Sequence, residues 1–212
     1  MDLVINNTIS ECDQDNVDLL VCQFSSIPDR TSFILGNSDN SPVPEMIRCA
    51  RLLEREGCKY IVIPCNTASY FFDEVQSRVN SKIINIIEET SKFVLNDNPK
   101  KVGLMATDGT IKSGAYHKFI GNDLLFVPDD VYQAKVMNII YDKVKKNKEV
   151  SLVEFEEILD YFRENGCEKI ILGCTELSVI YSYLKVNYSD VVDSLTVLAR
   201  KAVELSGKSL KE

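Results

Sequence analysis

The chain has 212 residues, of which 45% are apolar and 26% are charged, and its formal net charge is −8. This length suits one large domain or two small ones with a sizeable core. The acidic balance disfavours nucleic-acid binding, which normally needs a basic face. No apolar run approaches the length of a membrane span, so the sequence predicts neither nucleic acid nor membrane as a partner.

Apolar runs alternate with helical patterns in the first half of the chain. The runs at 17–24, 59–65 and 82–87 predict strands, the first of them buried. Residues 44–57 predict a helix, because a proline stands near its start and a glycine at its end. The break NDNPKK at 96–101 is the predicted domain boundary.

The same alternation restarts after this break. Strands are predicted at 101–107, 124–128, 169–174 and within the stretch DVVDS, and helices at 130–146, 151–165 and 194–206. Alternating strands and helices imply parallel sheets covered by helices. We therefore expect an α/β fold of two similar Rossmann-like domains, related by a pseudo-twofold axis, with the active site in the cleft between them. We expect residues 1–98 plus 193–212 to form the first domain and residues 99–192 to form the second.

An internal repeat supports the two related units. EGCKYIVIPCNT (56–67) and NGCEKIILGCTE (165–176) share a glycine, a cysteine, an apolar run and a second cysteine eight residues after the glycine. Each second cysteine, Cys65 or Cys174, ends a predicted strand, where ligands bind in open α/β sheets. A following helix N-terminus offers N–H groups and a dipole that lower a thiol pKa.

The other cysteines fit packing roles. Cys22, Cys49, Cys58 and Cys167 fall within predicted elements or at their turns, and free cysteine often fills space in a core. Seven cysteines, none spaced as CxxC, predict reduced thiols and a cytoplasmic location. No zinc site is predicted, because the only histidine is His117.

Two thiols from symmetric units suit a racemase. An enzyme that removes an α-proton from one face and returns one to the other needs an acid/base group on each side of the carbon. Thiols can serve because their pKa can be tuned toward neutrality. The chain has no glycine-rich dinucleotide fingerprint and no P-loop, so no cofactor is predicted.

The motifs PCNTA (64–68) and GCTE (173–176) resemble the paired cysteine motifs of the aspartate/glutamate racemase superfamily, which works without pyridoxal phosphate. The likeness extends over nearly the whole chain, through QFSSIPDRT, VGLMATDGTI, IYDKVK and VVDS. PDRT and IYDKVK favour the aspartate racemase branch. The resemblance implies a small amino-acid substrate, no cofactor, and a homodimer, since this family often dimerises.

Site residues are carried over from the matching motifs. Cys65 and Cys174 would be the two acid/bases. Asn66, Thr67 and Thr175 would hold the substrate α-carboxylate and amine, Thr107 and Thr110 would line the pocket, and Arg30 and Lys145, with Tyr141 one turn earlier, would pair with an acidic side chain. A guanidinium fork suits a carboxylate. Glu176 is a further candidate site residue. Alternatively, it is an acidic residue at a helix N-terminus that interacts with the helix dipole.

One feature departs from the family pattern. Members usually begin with a strand and a glycine-rich loop of the form IGIIGGMGP, which this chain lacks. The missing strand would lie inside the first sheet beside residues 17–24, leaving strand edges unpaired. A later start, a variant completed by a partner chain, and a degenerate enzyme are three explanations.

The predicted function is cofactor-independent racemisation of aspartate or glutamate. The alternatives are an amino-acid-binding pseudoenzyme on the same scaffold, or a racemase or isomerase of a related small carboxylate.

Overall fold

The computed structural model describes residues 1–211. In the first half the elements are α1 (Asp2–Asn7), α2 (Arg30–Ile34), α3 (Val43–Arg55), β1 (Tyr60–Val62), α4 (Phe72–Gln76), β2 (Lys82–Ile84) and α5 (Ile86–Leu95). In the second half they are β3 (Val102–Ala106), α6 (Asp108–Lys112), α7 (Ala115–Ile120), β4 (Leu125–Phe126), α8 (Asp130–Met137), α9 (Leu152–Glu164), β5 (Lys169–Gly173), α10 (Thr175–Tyr183), β6 (Val191–Asp193) and α11 (Ser194–Leu205). Short 3₁₀ segments occupy Asp13–Asp15, Thr67–Phe71 and Val144–Lys146.

The strands form two parallel sheets, which confirms the α/β fold class. The first pairs β1 with β2, and the second has the order β4-β3-β5-β6. All five residues of β3 are buried, which explains its uninterrupted apolar sequence, because helices cover both faces of a parallel sheet. An isolated antiparallel bridge joins Thr8 to Leu210. Among residues 1–211, no helix has the length and apolar character needed to span a lipid bilayer.

The repeated sequences adopt matching local structures. Gly57 and Gly166 follow α3 and α9 with φ of 86° and 80°, the left-handed conformation that commonly ends a helix. Each glycine turns the chain into a strand, β1 or β5, whose carboxyl end leads to the second cysteine of the repeat. The repeat therefore encodes a helix–turn–strand unit that delivers one thiol.

A shared core joins the two units. Ile84 and Ile87 from the first half pack in one cluster with Leu104 and Ile171 from the second sheet. Leu198 of the C-terminal helix α11 belongs to the same cluster. The assignment of α11 to the first domain and the domain boundaries stay predictions.

The predicted strand at 17–24 is wrong in this structure. No helix or strand is assigned to it, and its side chains are half-buried or exposed, with Leu20 56% and Val21 61% exposed. An apolar segment forms an inner strand only where neighbouring strands hydrogen-bond to it. In this structure β1 pairs with β2 and not with residues 17–24.

The predicted helix at 130–146 is also not continuous. It divides into α8, a π-helical turn at Asn138–Lys143 and the 3₁₀ segment Val144–Lys146. Asn147 then ends the helical run in the left-handed conformation, with φ of 54°. A π turn inserts one extra residue and redirects the side chains that follow it.

Candidate active site

The two repeat cysteines line one cavity of about 70 Å³. Cys174 directly follows β5 and is the N-cap of α10, and Cys65 lies three residues beyond β1, before the 3₁₀ segment Thr67–Phe71. The carboxyl ends of both sheets thus face the same space. The cavity is lined by Asp29, Arg30, Thr31, Pro64, Cys65, Asn66, Thr67, Thr107, Tyr141, Lys145, Cys174, Thr175 and Glu176.

Cys174 lies in an environment that keeps it protonated. Its side chain is buried, and its thiol donates a hydrogen bond to Oε2 of Glu176 over 2.9 Å. Burial raises the pKa of Cys174 well above its ordinary value, and the Glu176 charge raises it further. The Glu176 backbone N–H lowers this pKa, but the other two causes prevail.

Cys65 has the opposite kind of neighbour. Burial lowers the pKa of the Arg30 guanidinium, but the negative charge of a Cys65 thiolate and that of Asp29 raise it, with a net increase. Arg30 is the first residue of the short helix α2. Its Nη1 donates to the backbone carbonyls of Ile27 and Pro28, at 3.4 and 3.0 Å. This anchor holds the cation beside Cys65.

Four buried threonines connect three parts of the chain at the cavity. The Thr67 hydroxyl lies 3.1 Å from that of Thr107 and 2.9 Å from that of Thr110. Thr31 of α2 donates to Thr107 over 3.3 Å. Thr110 lies behind the cavity wall and does not line it. The threonines therefore fix the Cys65 loop against α2 and α6.

Asn66 is held by a second buried network. Its Nδ2 donates to Oγ of Ser194 over 2.9 Å, and its Oδ1 accepts from the Tyr116 hydroxyl over 2.7 Å. Ser194 in turn donates to the Leu172 carbonyl of β5 over 2.7 Å. Burial raises the pKa of Tyr116, so this phenol stays a donor. The network fixes the residue next to Cys65 from α7 and α11.

An ionic cluster closes the cavity near α2. Lys145 Nζ lies 3.6 Å from Oδ2 of Asp29 and 3.7 Å from the centre of the Tyr141 ring. Burial lowers the pKa of Lys145, but Tyr141, Glu176 and Asp29 raise it, with a net increase. The π-helical turn brings Tyr141 toward Asp29. The Tyr141 hydroxyl lies 3.4 Å from Oδ2 and 3.5 Å from Oδ1 of Asp29, at the limit of hydrogen bonding. Lys145 thus stays cationic at the cavity.

The structure brings together nearly all the residues selected from the sequence. Of these, only Thr110 does not line the cavity. Sequence analysis missed Asp29, Thr31, Tyr116 and Ser194. Asp29 and Thr31 flank Arg30 in the PDRT motif, and their adjacency was the available signal. Tyr116 lies within a helix and carried no signal. In residues 1–211 no group of three histidine, cysteine or acidic residues could hold a metal ion.

Replacing Glu176 with glutamine should lower the pKa of Cys174. The substitution removes a negative charge 2.9 Å from Sγ and keeps the shape of the side chain. The rise in ultraviolet absorbance that marks thiolate formation should therefore move to lower pH, relative to the wild type and to the exposed control Glu164→Gln. An unchanged or higher midpoint would contradict the assigned contact.

The same variant changes how stability depends on pH. The folded pKa of Cys174 lies above its unfolded value, so its contribution is present below the unfolded pKa and is lost as pH rises through the folded one. The free energy of unfolding, measured across alkaline pH, should therefore fall less for Glu176→Gln than for the wild type. A loss as large as that of the wild type would count against this linkage.

Replacing Gly109 with alanine should loosen the threonine cluster. A Cβ at Gly109 would lie 2.9 Å from both Cα and Oγ1 of Thr31, and a backbone atom cannot easily yield. We expect a loss of about 1–3 kcal/mol in the free energy of unfolding. Urea unfolding measures it. The exposed control Lys112→Ala should change stability by less than about 0.5 kcal/mol, and an equally small loss for Gly109→Ala would contradict the close contact.

This fold and this pair of cysteine loops define a family of α/β isomerases. The chain belongs to the Asp/Glu/Hydantoin racemase family, whose model matches residues 3–202. It is similar to the solved aspartate racemase of Picrophilus torridus, with 30% identity and a TM-score of 0.85, covering 99% of this chain and 88% of that one.

Two curated relatives carry related names. The chain is 27% identical over 157 residues to the broad specificity amino-acid racemase RacX of Bacillus subtilis, covering 71% of this chain and 66% of the relative. It is 25% identical over 177 residues to a glutamate racemase of Corynebacterium glutamicum, covering 78% and 64%. The chain thus spans about two thirds of the length of these two racemases.

Proposed function

We propose that the protein racemises an acidic amino acid, aspartate first, by a two-base thiol mechanism that needs no cofactor. The observation that carries the proposal is the opposite surroundings of two thiols on one cavity. Cys65 lies beside the Arg30 cation, and the Cys174 thiol stays protonated and donates a hydrogen bond to Glu176. One thiol is thereby suited to act as base while the other acts as acid.

The reaction moves one proton in each direction. A Cys65 thiolate takes the α-proton from one face of Cα, and the electron pair left on carbon spreads into the α-carboxylate. The Cys174 thiol then gives its proton to the opposite face. The product has the inverted configuration, Cys65 is protonated and Cys174 is a thiolate. The antipode reacts by the same steps in reverse.

Charge that develops on the α-carboxylate needs hydrogen-bond donors. The backbone N–H groups of Thr175 and Glu176, at the start of α10, have no carbonyl partner within the helix, and both residues line the cavity beside Cys174. The remaining Asn66 amide hydrogen is a further donor at the same edge, and the Thr175 hydroxyl becomes one when it turns from Oε2 of Glu176, to which it donates over 3.1 Å. Donors fixed before the reaction stabilise such charge most effectively.

Two cations favour a substrate with a second carboxylate. Arg30 donates hydrogen bonds to the backbone carbonyls of Ile27 and Pro28 through Nη1 alone. The rest of its guanidinium group therefore remains for Cys65 and a substrate carboxylate. Lys145 lines the same cavity, with its Nζ 3.6 Å from Oδ2 of Asp29. The name of the similar Picrophilus torridus protein supports aspartate. Two working thiols also require a reducing compartment, so we place the reaction in the cytoplasm, and the homodimer stays a prediction.

Decay of optical activity tests the proposed function. Purified protein is incubated separately with L- and D-aspartate, without pyridoxal phosphate, and ellipticity is followed. Both signals should decay to zero at rates proportional to protein concentration, and glutamate should be a slower substrate. No decay with either acidic amino acid would reject the proposal.

A further inference from the structure

Ser194 of the VVDS motif lies outside the cavity lining and yet contacts a residue that lines it. Ser194 is the first residue of α11 and is fully buried, and its Oγ lies 2.9 Å from Asn66. The N-cap Asp193 accepts hydrogen bonds from the backbone N–H groups of Leu195 and Thr196, at 3.1 and 3.2 Å. This cap fixes the first turn of α11 and with it the Ser194 hydroxyl.

The Leu172 carbonyl determines which way this hydroxyl points. A carbonyl oxygen can only accept a hydrogen bond, and Oγ of Ser194 lies 2.7 Å from that of Leu172. The single hydroxyl proton of Ser194 is thereby used, so its oxygen has only lone pairs to offer Asn66. The Asn66 atom beside it must then be a donor, which is the amide nitrogen Nδ2. The backbone of β5 thus sets the polarity of the side chain that follows Cys65.

Tyr116 supports the same polarity from the other side of the amide. Its side chain is buried, and its hydroxyl donates to Oδ1 of Asn66 over 2.7 Å. The phenol alone sets no direction, because a hydroxyl group can either donate or accept. Ser194 therefore decides the orientation of the Asn66 amide, and Tyr116 stabilises the orientation that Ser194 imposes.

This orientation determines what Asn66 presents to the cavity. The amide nitrogen carries two hydrogens, and among residues 1–211 its only hydrogen bond is the one to Ser194. The second hydrogen is therefore free for a ligand in the cavity that Asn66 lines. A reversed amide would turn an oxygen lone pair to the same point, and an oxygen lone pair repels a carboxylate.

We propose that Ser194 is a positioning residue for the α-carboxylate of the substrate. By fixing the Asn66 amide, it ensures that an N–H group, and not an oxygen, meets this carboxylate. Ser194 itself does not touch the ligand. The inference rests on the proposed function for the identity of that ligand, an amino acid. Hydrogen bonds to a charged group are roughly twice as strong as neutral ones, so the orientation of this donor affects binding strongly.

A double-mutant cycle of aspartate binding tests this role. Calorimetry measures the Kd of racemic aspartate, whose composition racemisation leaves unchanged, for the wild type, Ser194→Ala, Asn66→Ala and the double variant. Ser81→Ala is the matched control. Ser81 is also buried, donates to the Cys58 carbonyl over 2.7 Å and does not line the cavity. Urea unfolding checks that each variant is folded under the conditions of the titration.

We expect Ser194→Ala to weaken aspartate binding about tenfold, because the Asn66 amide can then turn either way. In the Asn66→Ala background the same change should alter Kd by less than about twofold, since Ser194 acts through Asn66. Tyr116→Phe leaves the polarity imposed by Ser194 in place and should weaken binding only about threefold. Ser81→Ala should bind aspartate as the wild type does.

Three results would overturn the inference. They are unchanged binding in Ser194→Ala, a tenfold loss that persists in the Asn66→Ala background, and a loss in Tyr116→Phe at least as large as in Ser194→Ala. If Asn66→Ala does not fold, the comparison of Ser194→Ala with Tyr116→Phe decides alone.

The binding cycle needs no turnover, so its outcome is separate from that of the proposed function. The expected cycle without decay of optical activity would support the positioning role and reject racemisation. Decay of optical activity together with independent losses from Ser194→Ala and Asn66→Ala would do the reverse. A wild type that neither binds nor racemises aspartate would overturn both.

Discussion

Racemisation should fall about 10²–10⁴-fold when either Cys65 or Cys174 is replaced by serine. A serine hydroxyl keeps nearly the size of the thiol but holds its proton far more tightly, so it is a poor base at neutral pH. Each variant lacks one of the two groups that inversion requires. Initial rates with L- and D-aspartate, measured by ellipticity, give the comparison.

The repeat supplies matched controls for this prediction. Cys58 and Cys167 are the first cysteines of the two copies and lie away from the cavity lining. Burial raises the pKa of Cys167 to about 11, as expected for a packing residue. Serine at either control position should leave the rate within about twofold of the wild type after correction for folded protein. Full activity in both Cys65→Ser and Cys174→Ser would disprove the two-thiol mechanism.

Arg30→Ala should reduce kcat/KM for aspartate about a hundredfold, because charge-assisted hydrogen bonds are worth about 1.5–3 kcal/mol each. The variant removes both the cation beside Cys65 and the proposed partner of the substrate side chain. A neutral amino acid such as alanine uses only the first of these. We therefore expect a smaller loss for alanine than for aspartate, in assays of both substrates side by side.

Arg48→Ala is the control for a lost arginine. Arg48 lies on α3, paired with Glu45 and stacked on Phe24, and it does not line the cavity. Its replacement should leave kcat/KM unchanged for both aspartate and alanine. Equal losses on aspartate and alanine in Arg30→Ala would remove the proposed carboxylate contact and leave Arg30 as a partner of Cys65 only.

The cysteine pair could be predicted from the sequence because it lies within a repeat. Two helix–turn–strand units with the same glycine spacing must end at the same edge of their sheets. Both thiols on one cavity follow from that arrangement. The opposite surroundings of the thiols could not be predicted, because Glu176 reaches Cys174 locally whereas Arg30 reaches Cys65 from a distant helix.

The elements that depend on long-range pairing were harder to predict. Residues 17–24 have the composition of an inner strand, but a strand forms only where neighbours supply hydrogen bonds at both edges. The Tyr116–Asn66–Ser194 network joins residues 50 and 128 positions apart. No local pattern encodes such a contact. The π turn near Tyr141 likewise lies within a pattern typical of one long helix.

An amino-acid-binding protein without catalysis is the alternative that matters most. It would use the same cavity, the same cations and the same N–H groups at α10. It would bind aspartate in calorimetry and show no change at Cα. Binding measurements alone therefore cannot separate the two functions, and the fate of the α-proton can.

Exchange of the α-proton in deuterium oxide tests the two-thiol account most directly. L-Aspartate is incubated with the protein without cofactor, and proton NMR follows the Cα–H signal while a chiral assay follows both enantiomers. We predict that the signal decays, that D-aspartate appears, and that the D-aspartate formed carries deuterium, because its proton comes from Cys174 after exchange with solvent. Aspartate that binds but keeps its α-proton and its configuration would contradict the account.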